Sequence, residues 1–198
     1  MTFLDYFQLA VVIIVLGVVT AKAIYLKVVT GVNPIVIGHG KGAWRIVEIL
    51  CLGAVILWMT EVVLHALHIF PRSWELILLN ILGLKVLGAV FVGFGLIVFL
   101  LAFLSFGKSW RIGIDRQTPG TLVTSGVFGI TRNPIYVAFH LYFIGIFLIN
   151  GTLFFLVFAL MAAVAVHFQI RREEEFLKRQ YGESFQEYCR RTPRYLVW

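Results

Sequence analysis

The sequence predicts an all-α, polytopic membrane protein: about five transmembrane helices and a cytoplasmic, amphipathic, helical C-terminal tail. Three observations carry this. The 198 residues are 60% hydrophobic and 14% charged, against roughly half apolar and a quarter charged in a soluble domain. Charge is absent from whole stretches: residues 46–70 hold only Glu48 and Glu61, and residues 86–107 and 133–170 hold no Asp, Glu, Lys or Arg. Each stretch exceeds the ~18 apolar residues that call for a membrane-spanning helix. Finally, Lys and Arg alternate between poor and rich along the connections between those stretches.

The spans are read at residues 6–25, 46–69, 86–106, 134–149 and 152–170. The first is expected to be retained and not cleaved as a signal, because the leader before it carries Asp5 and neither Lys nor Arg. Lys22, Lys27, Lys41 and Arg45 follow it; the next connection has only Arg72 and Lys85. The third connection has Lys108, Arg111, Arg116 and Arg132, the turn at Asn150-Gly151 has none, and the tail has seven, from Arg171 to Arg194. The positive-inside rule then puts the N-terminus outside and the C-terminus in the cytoplasm. Lys85, in a helical stretch that could start as early as Trp74, is read as a snorkelling residue of an interfacial turn or tilted helix. Asn133-Pro134 opens the fourth span with an N-cap residue and proline at the first helical position. The fifth continues into the tail, where Phe176, Leu177 and Tyr181 recur at helical spacing, Gly182 interrupts, and Phe185 and Tyr188 resume.

Five such spans leave no room for a separate soluble catalytic domain, so any chemistry must be built from helix ends and loops. Residues 1–106 are expected to form three N-terminal helices, and residues 107–198 a loop, a helical hairpin and a C-terminal tail, all within one integrated domain. Cys51 and Cys189 have no paired spacing that would suggest a disulfide framework or a zinc site. The net charge of +7 is sided and is not read as a nucleic-acid footprint. Glu61, His65 and His68 share a helix face, read as a polar helix-end patch and not as a metal site. Gly88, Gly93 and Gly95 fall in an apolar helix with no preceding strand, so they suit close helix packing and not a dinucleotide fingerprint.

Two polar segments remain. The loop from Leu122 to Tyr136 brings unpaired backbone groups, a helix N-terminus and Arg132 to one point beside the membrane, a place suited to an anionic or nucleotide-like ligand. By itself it also reads as turn glycines and a cap. The tail run Arg171-Arg172-Glu173-Glu174-Glu175, by itself, is a solvated helix with Glu174–Lys178 and Glu175–Arg179 pairs.

The run Leu122-Val123-Thr124-Ser125-Gly126, Phe128, Arg132-Asn133-Pro134 and Tyr136 resembles the L-V-T-x-G-x-Y-x-x-x-R-H-P-x-Y signature of the isoprenylcysteine carboxyl methyltransferase family. The tail, with Glu173-Glu174, Leu177, Tyr181-Gly182, Phe185, Tyr188, Arg191 and Pro193-Arg194, is similar to that family's E-E-x-x-L-x-x-x-F-G-x-x-Y-x-x-Y-x-x-R-x-P ending. The two matches cover about the last 80 residues. Phospholipid N-methyltransferases and sterol reductases share parts of the pattern.

The resemblance implies S-adenosylmethionine as cofactor, held by Gln117, Gly120, Thr121, Leu122, Val123, Phe128, Asn133, Pro134, Ile135, Tyr136 and Glu173. It implies a catalytic tail of Glu173, Glu174, Arg171 and Arg172. Asn133 stands where the family has His, and Gln169 where it has the arginine that holds the substrate carboxylate. Gln169, with the nearby His140 and His167, is the expected substrate-binding set. The expected activity is methyl transfer to the carboxylate of a lipid-modified acceptor such as a prenylated cysteine, with membrane lipids as further partners. A carboxylate of pKa ~3.5 is ionised at neutral pH and needs no base, whereas an amine would make Glu173 or Glu174 a base. Alternatives are a lipid amine N-methyltransferase, an NADPH-dependent enzyme of the sterol reductase type, and a non-catalytic scaffold.

Overall fold

The computed structural model describes residues 1–31, 34–35, 43–69, 75–107, 110 and 120–196, with no side-chain detail for residues 43–45, 47 and 48. Gln117 and the basic residues Lys41, Arg72, Lys108, Arg111 and Arg116 lie outside them. The described residues form five α-helices: α1 (Phe3–Thr30), α2 (Ala43–Ala66), α3 (Leu82–Ser105), α4 (Pro134–Asn150) and α5 (Leu153–Arg191). All but α4 are long and apolar enough to cross a membrane. At 17 residues, α4 is about 25 Å long, somewhat less than a ~30 Å hydrocarbon core. The protein is an integral membrane protein with the all-α architecture its composition predicts.

The chain gathers into two compact units, residues 1–74 with 108–119, and residues 75–107 with 120–198. In the first, α1 starts with a capping box in which the Thr2 and Asp5 side chains satisfy each other's backbone N–H, and ends at Gly31 in the left-handed conformation. His68, itself at a positive φ of 54°, places Nε2 3.0 Å from Asp5 Oδ2. The helix-end patch read from Glu61, His65 and His68 thus has one of its histidines tied to the start of α1.

In the second unit, α3 and α4 pack through small residues. A Cβ on Gly88 would lie 2.6 Å from the Gly145 carbonyl oxygen, and one on Gly145 would lie 2.6 Å from Val92 Cγ2. A Cβ on Gly95 would meet the Ala138 carbonyl oxygen at 3.1 Å. Without side chains at these points the two backbones approach directly, which in lipid substitutes packing for a hydrophobic driving force. Gly145→Ala is expected to separate α3 from α4 and destabilise the fold by about 1–3 kcal/mol. Thermal unfolding in detergent, with Gly17→Ala in open space as control, measures this.

Helix α3 begins at Leu82 and not near Trp74, because the preceding residues are engaged as extended chain. Leu78 and Leu79 N–H donate to the Gly151 carbonyl at 2.7 and 3.0 Å, and Leu153 N–H donates to Leu76 at 2.9 Å. Backbone pairing with the α4–α5 turn therefore replaces the first helical turns that hydropathy suggested. Lys85 falls in the first turn of α3. Gly151, at φ 70°, makes the α4–α5 turn, and a Cβ there would overlap the Leu79 carbonyl.

The apolar part of α5 ends near Ile170, and the helix continues into the polar tail. Gly182, at φ 53° and ψ −123°, breaks it there, a conformation open to glycine. The break turns Phe185 and Tyr188 back into a cluster with Ala102 and Phe128, flanked by Leu122, Val123, Ile135, Leu177 and Tyr181. The interrupted periodicity of the tail is thus the pattern of one buried face bent around a glycine.

Candidate active site

The loop that follows Gly120 is held against the tail. Tyr181 Oη donates to the Gly120 carbonyl at 2.5 Å, and Tyr188 Oη donates to the Phe128 carbonyl at 2.6 Å. Phe128 sits in a short 3-10 turn, Gly126–Gly129, with its ring edge-on to Phe106 at 4.8 Å. That ring is buried within the core cluster, so the aromatic place of the motif is a packing position here.

Next along the chain, Arg132 makes a clamp. Its Nε donates to Glu174 Oε1 at 3.1 Å, and one Nη donates to the carbonyls of Cys189 and Thr192 at 3.0 and 2.8 Å. Its backbone N–H donates to Pro193 at 2.9 Å. Arg194 completes the arrangement with two bonds to Glu174 Oε2, at 3.0 and 2.7 Å. The Arg194 carbonyl in turn accepts from Thr131 Oγ1 and Asn133 Nδ2, each at 3.1 Å. Asn133 Nδ2 also reaches Glu174 Oε1 at 3.3 Å. Burial raises the Glu174 carboxyl, but Arg194 and Arg132 outweigh it and hold the group below its ordinary range.

Two sequence readings are corrected by this geometry. Glu174 is not one half of a solvated pair with Lys178: both its oxygens face Arg132, Asn133 and Arg194, and its side chain is 11% exposed. Asn133 occupies the N-cap position of α4, but its side chain makes no capping bond; the amide is committed to the tail.

One residue earlier on α5, Glu173 lies in a separate network. Tyr136 Oη, on α4, donates to Glu173 Oε1 at 2.5 Å, and Gln169 Nε2 donates to the same oxygen at 2.9 Å. Arg172 donates to Gln169 Oε1 at 3.3 Å. Among the described residues Glu173 Oε2 accepts no hydrogen bond, and burial raises this carboxyl although Tyr136, Gln169 and Arg172 pull it the other way. Adjacent glutamates on one helix thus have opposite environments, because the ~100° step per residue aims one at two arginines and the other at a tyrosine and a glutamine.

The remaining expected residues divide. Leu122 and Val123 lie on the loop with side chains against the core cluster, while their backbone groups, like the Ile135 N–H in the first turn of α4, have no hydrogen-bond partner among the described residues. Gly120 and Thr121 are exposed and Pro134 is buried. Arg171 is exposed, whereas Arg172 is half-buried. His140 Nδ1 lies 2.6 Å from the Tyr136 carbonyl, and His167 Nδ1 lies 3.0 Å from Tyr195 Oη. The sequence reading offered Arg132 to an anionic ligand, whereas its guanidinium is committed to Glu174 and two tail carbonyls; it passed over Arg194, although that residue stands in the matched tail motif. It also passed over Tyr195, just beyond the tail motif.

The donor set suits S-adenosylmethionine: a carboxylate oxygen without a partner for its cationic groups, and unengaged backbone donors and acceptors for its hydroxyl, carboxylate and adenine edges. Comparison with known proteins agrees. Residues 84–184, just over half of the chain, match the family model described as phospholipid methyltransferase. The chain is also 29% identical over 157 residues to the cobalt-zinc-cadmium resistance protein CzcN of Cupriavidus metallidurans, covering 78% of this chain and 62% of that protein. The match therefore spans less than two thirds of CzcN's length. No solved structure matches the chain.

Proposed function

From the premise that this chain belongs to the phospholipid methyltransferase family, one of the isoprenylcysteine carboxyl methyltransferase-type families of membrane methyltransferases, we propose that it methylates the carboxylate of a lipid-modified acceptor, such as a prenylated cysteine. Membership makes the protein a membrane methyltransferase and implies S-adenosylmethionine as the methyl donor. The observation that supports the cofactor part of this reading is the divided Glu173 carboxylate, with one oxygen fixed by Tyr136 and Gln169 and the other without a partner among the described residues; the carboxylate acceptor is supported by half-buried Arg172, held by Gln169 beside it.

Bound at this site, S-adenosylmethionine supplies an electrophilic methyl carbon on a sulfonium. Glu173, oriented through Oε1, offers Oε2 to a cationic group, and its partly buried setting strengthens that attraction. The backbone groups of Leu122, Val123 and Ile135 provide polar contacts that need no particular side chain, with Gly120 and Thr121 beside them on the loop. Glu174, Arg132, Asn133 and Arg194 hold the tail against the α4 N-terminus and so keep Glu173 and Tyr136 in register. We assign Arg172, half-buried and linked through Gln169, the acceptor role of the family arginine, in preference to the exposed Arg171. His140 and His167 lie on the two hairpin helices beside this network. A carboxylate nucleophile arrives ionised and asks only for alignment with the methyl carbon. The sidedness of Lys and Arg supports a site at the cytoplasmic surface, where a lipid-borne acceptor can enter from the bilayer.

A second reading, methylation of a lipid amine, is favoured by one observation: burial shifts Glu173 toward holding a proton, as a base for an ammonium nucleophile must. The products separate the two. Proteoliposomes are given methyl-labelled S-adenosylmethionine with either a farnesylated cysteine or phosphatidylethanolamine. A carboxyl ester releases its label as methanol in alkali and an N-methyl group does not. Base-labile label on the farnesylated cysteine is expected; base-stable label on the phospholipid alone overturns the carboxylate reading.

A further inference from the structure

The tail does more than brace the α4 N-terminus, because the clamp ends one residue before Tyr195. Arg194 is fixed through its guanidinium to Glu174 and through its carbonyl to Thr131 and Asn133. The backbone leaving it is therefore held at a defined point beside the hairpin. Tyr195 stacks on His167 of α5, with centroids 6.4 Å apart and planes at 20°. It meets His140 of α4 edge-on at 6.1 Å, and its Oη lies 3.0 Å from His167 Nδ1. One tail residue thus touches both expected acceptor-binding histidines.

The chemistry of these contacts limits the proton positions. A carbonyl only accepts, so the 2.6 Å contact to Tyr136 puts a proton on His140 Nδ1. The His167–Tyr195 bond can run in two senses. If the phenol donates, a neutral His167 carries its proton at Nε2; if Nδ1 donates, the phenol proton is released. Either sense leaves one neutral donor hydrogen with no partner among the described residues.

Gln169, where the family arginine is expected, has its amide nitrogen on Glu173 and its oxygen on Arg172. It therefore offers the acceptor less than a guanidinium would. We propose that Tyr195 is a positioning residue for the acceptor: by donating its phenol hydrogen to His167 Nδ1 it fixes the imidazole with its remaining hydrogen on Nε2, a neutral donor presented to the acceptor carboxylate. A neutral donor orients an anion without adding the countercharge of a guanidinium, leaving more of the charge available to attack. This inference rests on the carboxylate reading above.

The test compares the full-length wild type with Tyr195→Phe, His167→Gln and the double variant in proteoliposomes. The readouts are kcat and KM for a farnesylated cysteine, S-adenosylhomocysteine affinity by calorimetry, and alkali lability of the product. Phenylalanine keeps the stacking and removes only the hydroxyl. Tyr195→Phe is expected to raise the acceptor KM about five- to tenfold, the effect of one net hydrogen bond, with S-adenosylhomocysteine affinity unchanged. That penalty is expected to vanish in the His167→Gln background, because the hydroxyl acts through the imidazole. An unchanged KM, a KM penalty that persists without His167, or a parallel loss of S-adenosylhomocysteine affinity overturns the Tyr195 inference while a base-labile wild-type product keeps the carboxylate function. A base-stable wild-type product overturns both, and is recognised by its own signature.

Discussion

Glu173→Gln is expected to lower methyl transfer on the order of a hundredfold, as loss of a fixed electrostatic partner does in other active sites, without weakening the fold. The substitution keeps the shape and one hydrogen-bond acceptor for Tyr136 and Gln169, but removes the negative charge assigned to the cofactor's cationic groups. The stability expectation comes from linkage. A carboxyl whose folded pKa lies above its unfolded value favours folding at low pH, and that advantage is lost as pH rises from the unfolded value through the folded one. Burial raises Glu173 in this way, so at neutral pH its charge opposes folding. The uncharged variant is expected to melt at the same temperature as wild type or higher, while S-adenosylhomocysteine binding by calorimetry falls. Retained binding and turnover would remove Glu173 from the site.

The neighbouring substitution is expected to behave in the opposite way. Glu174→Ala leaves the Arg132 side chain, 11% exposed, without its carboxylate partner, and breaking a buried pair on one side costs roughly 3–5 kcal/mol. The more exposed Arg194, at 38%, adds less because solvent screens it. Thermal unfolding in detergent should show the loss directly, together with release of the tail as increased proteolysis after Tyr188. The pH dependence has its own sign. Because Arg194 and Arg132 hold Glu174 below its ordinary value despite burial, its stabilisation is present above the unfolded pKa of about 4.3. It is lost as pH falls through the lower folded value. Wild type is therefore expected to lose stability more steeply than Glu174→Gln on acidification below about pH 4. Equal melting of Glu174→Ala and wild type would deny the clamp a structural role.

How much of this was legible in the chain can be argued from particular residues. The helices were, because apolar runs without charge and a proline at a first helical position act locally: α4 starts at Pro134, and α2, α3 and α5 fall close to the expected spans. The start of α3 was not, since hydropathy cannot see that residues 76–79 pair with the α4–α5 turn some 70 positions away. Glu173 and Glu174 stand side by side in the motif, and nothing in their spacing says which faces a cation. Tyr195 had no signal, since an aromatic residue near a chain end is ordinary until its neighbours are known.

By itself, then, the chain determined what depends on composition and short-range pattern: a membrane protein of helices, the Gly182 break in the tail, and the two segments from which a site would be built. Tertiary structure decided what each polar group in those segments does. It closed both Glu174 oxygens with Arg132, Asn133 and Arg194, left one Glu173 oxygen without a partner among the described residues, and set Tyr195 between His140 and His167. The physical reason is range. Backbone hydrogen bonding and burial in lipid act over a few residues and are written in local sequence, whereas the charge state and availability of a carboxylate depend on groups within ~6 Å, brought there from 20 to 42 positions along the chain.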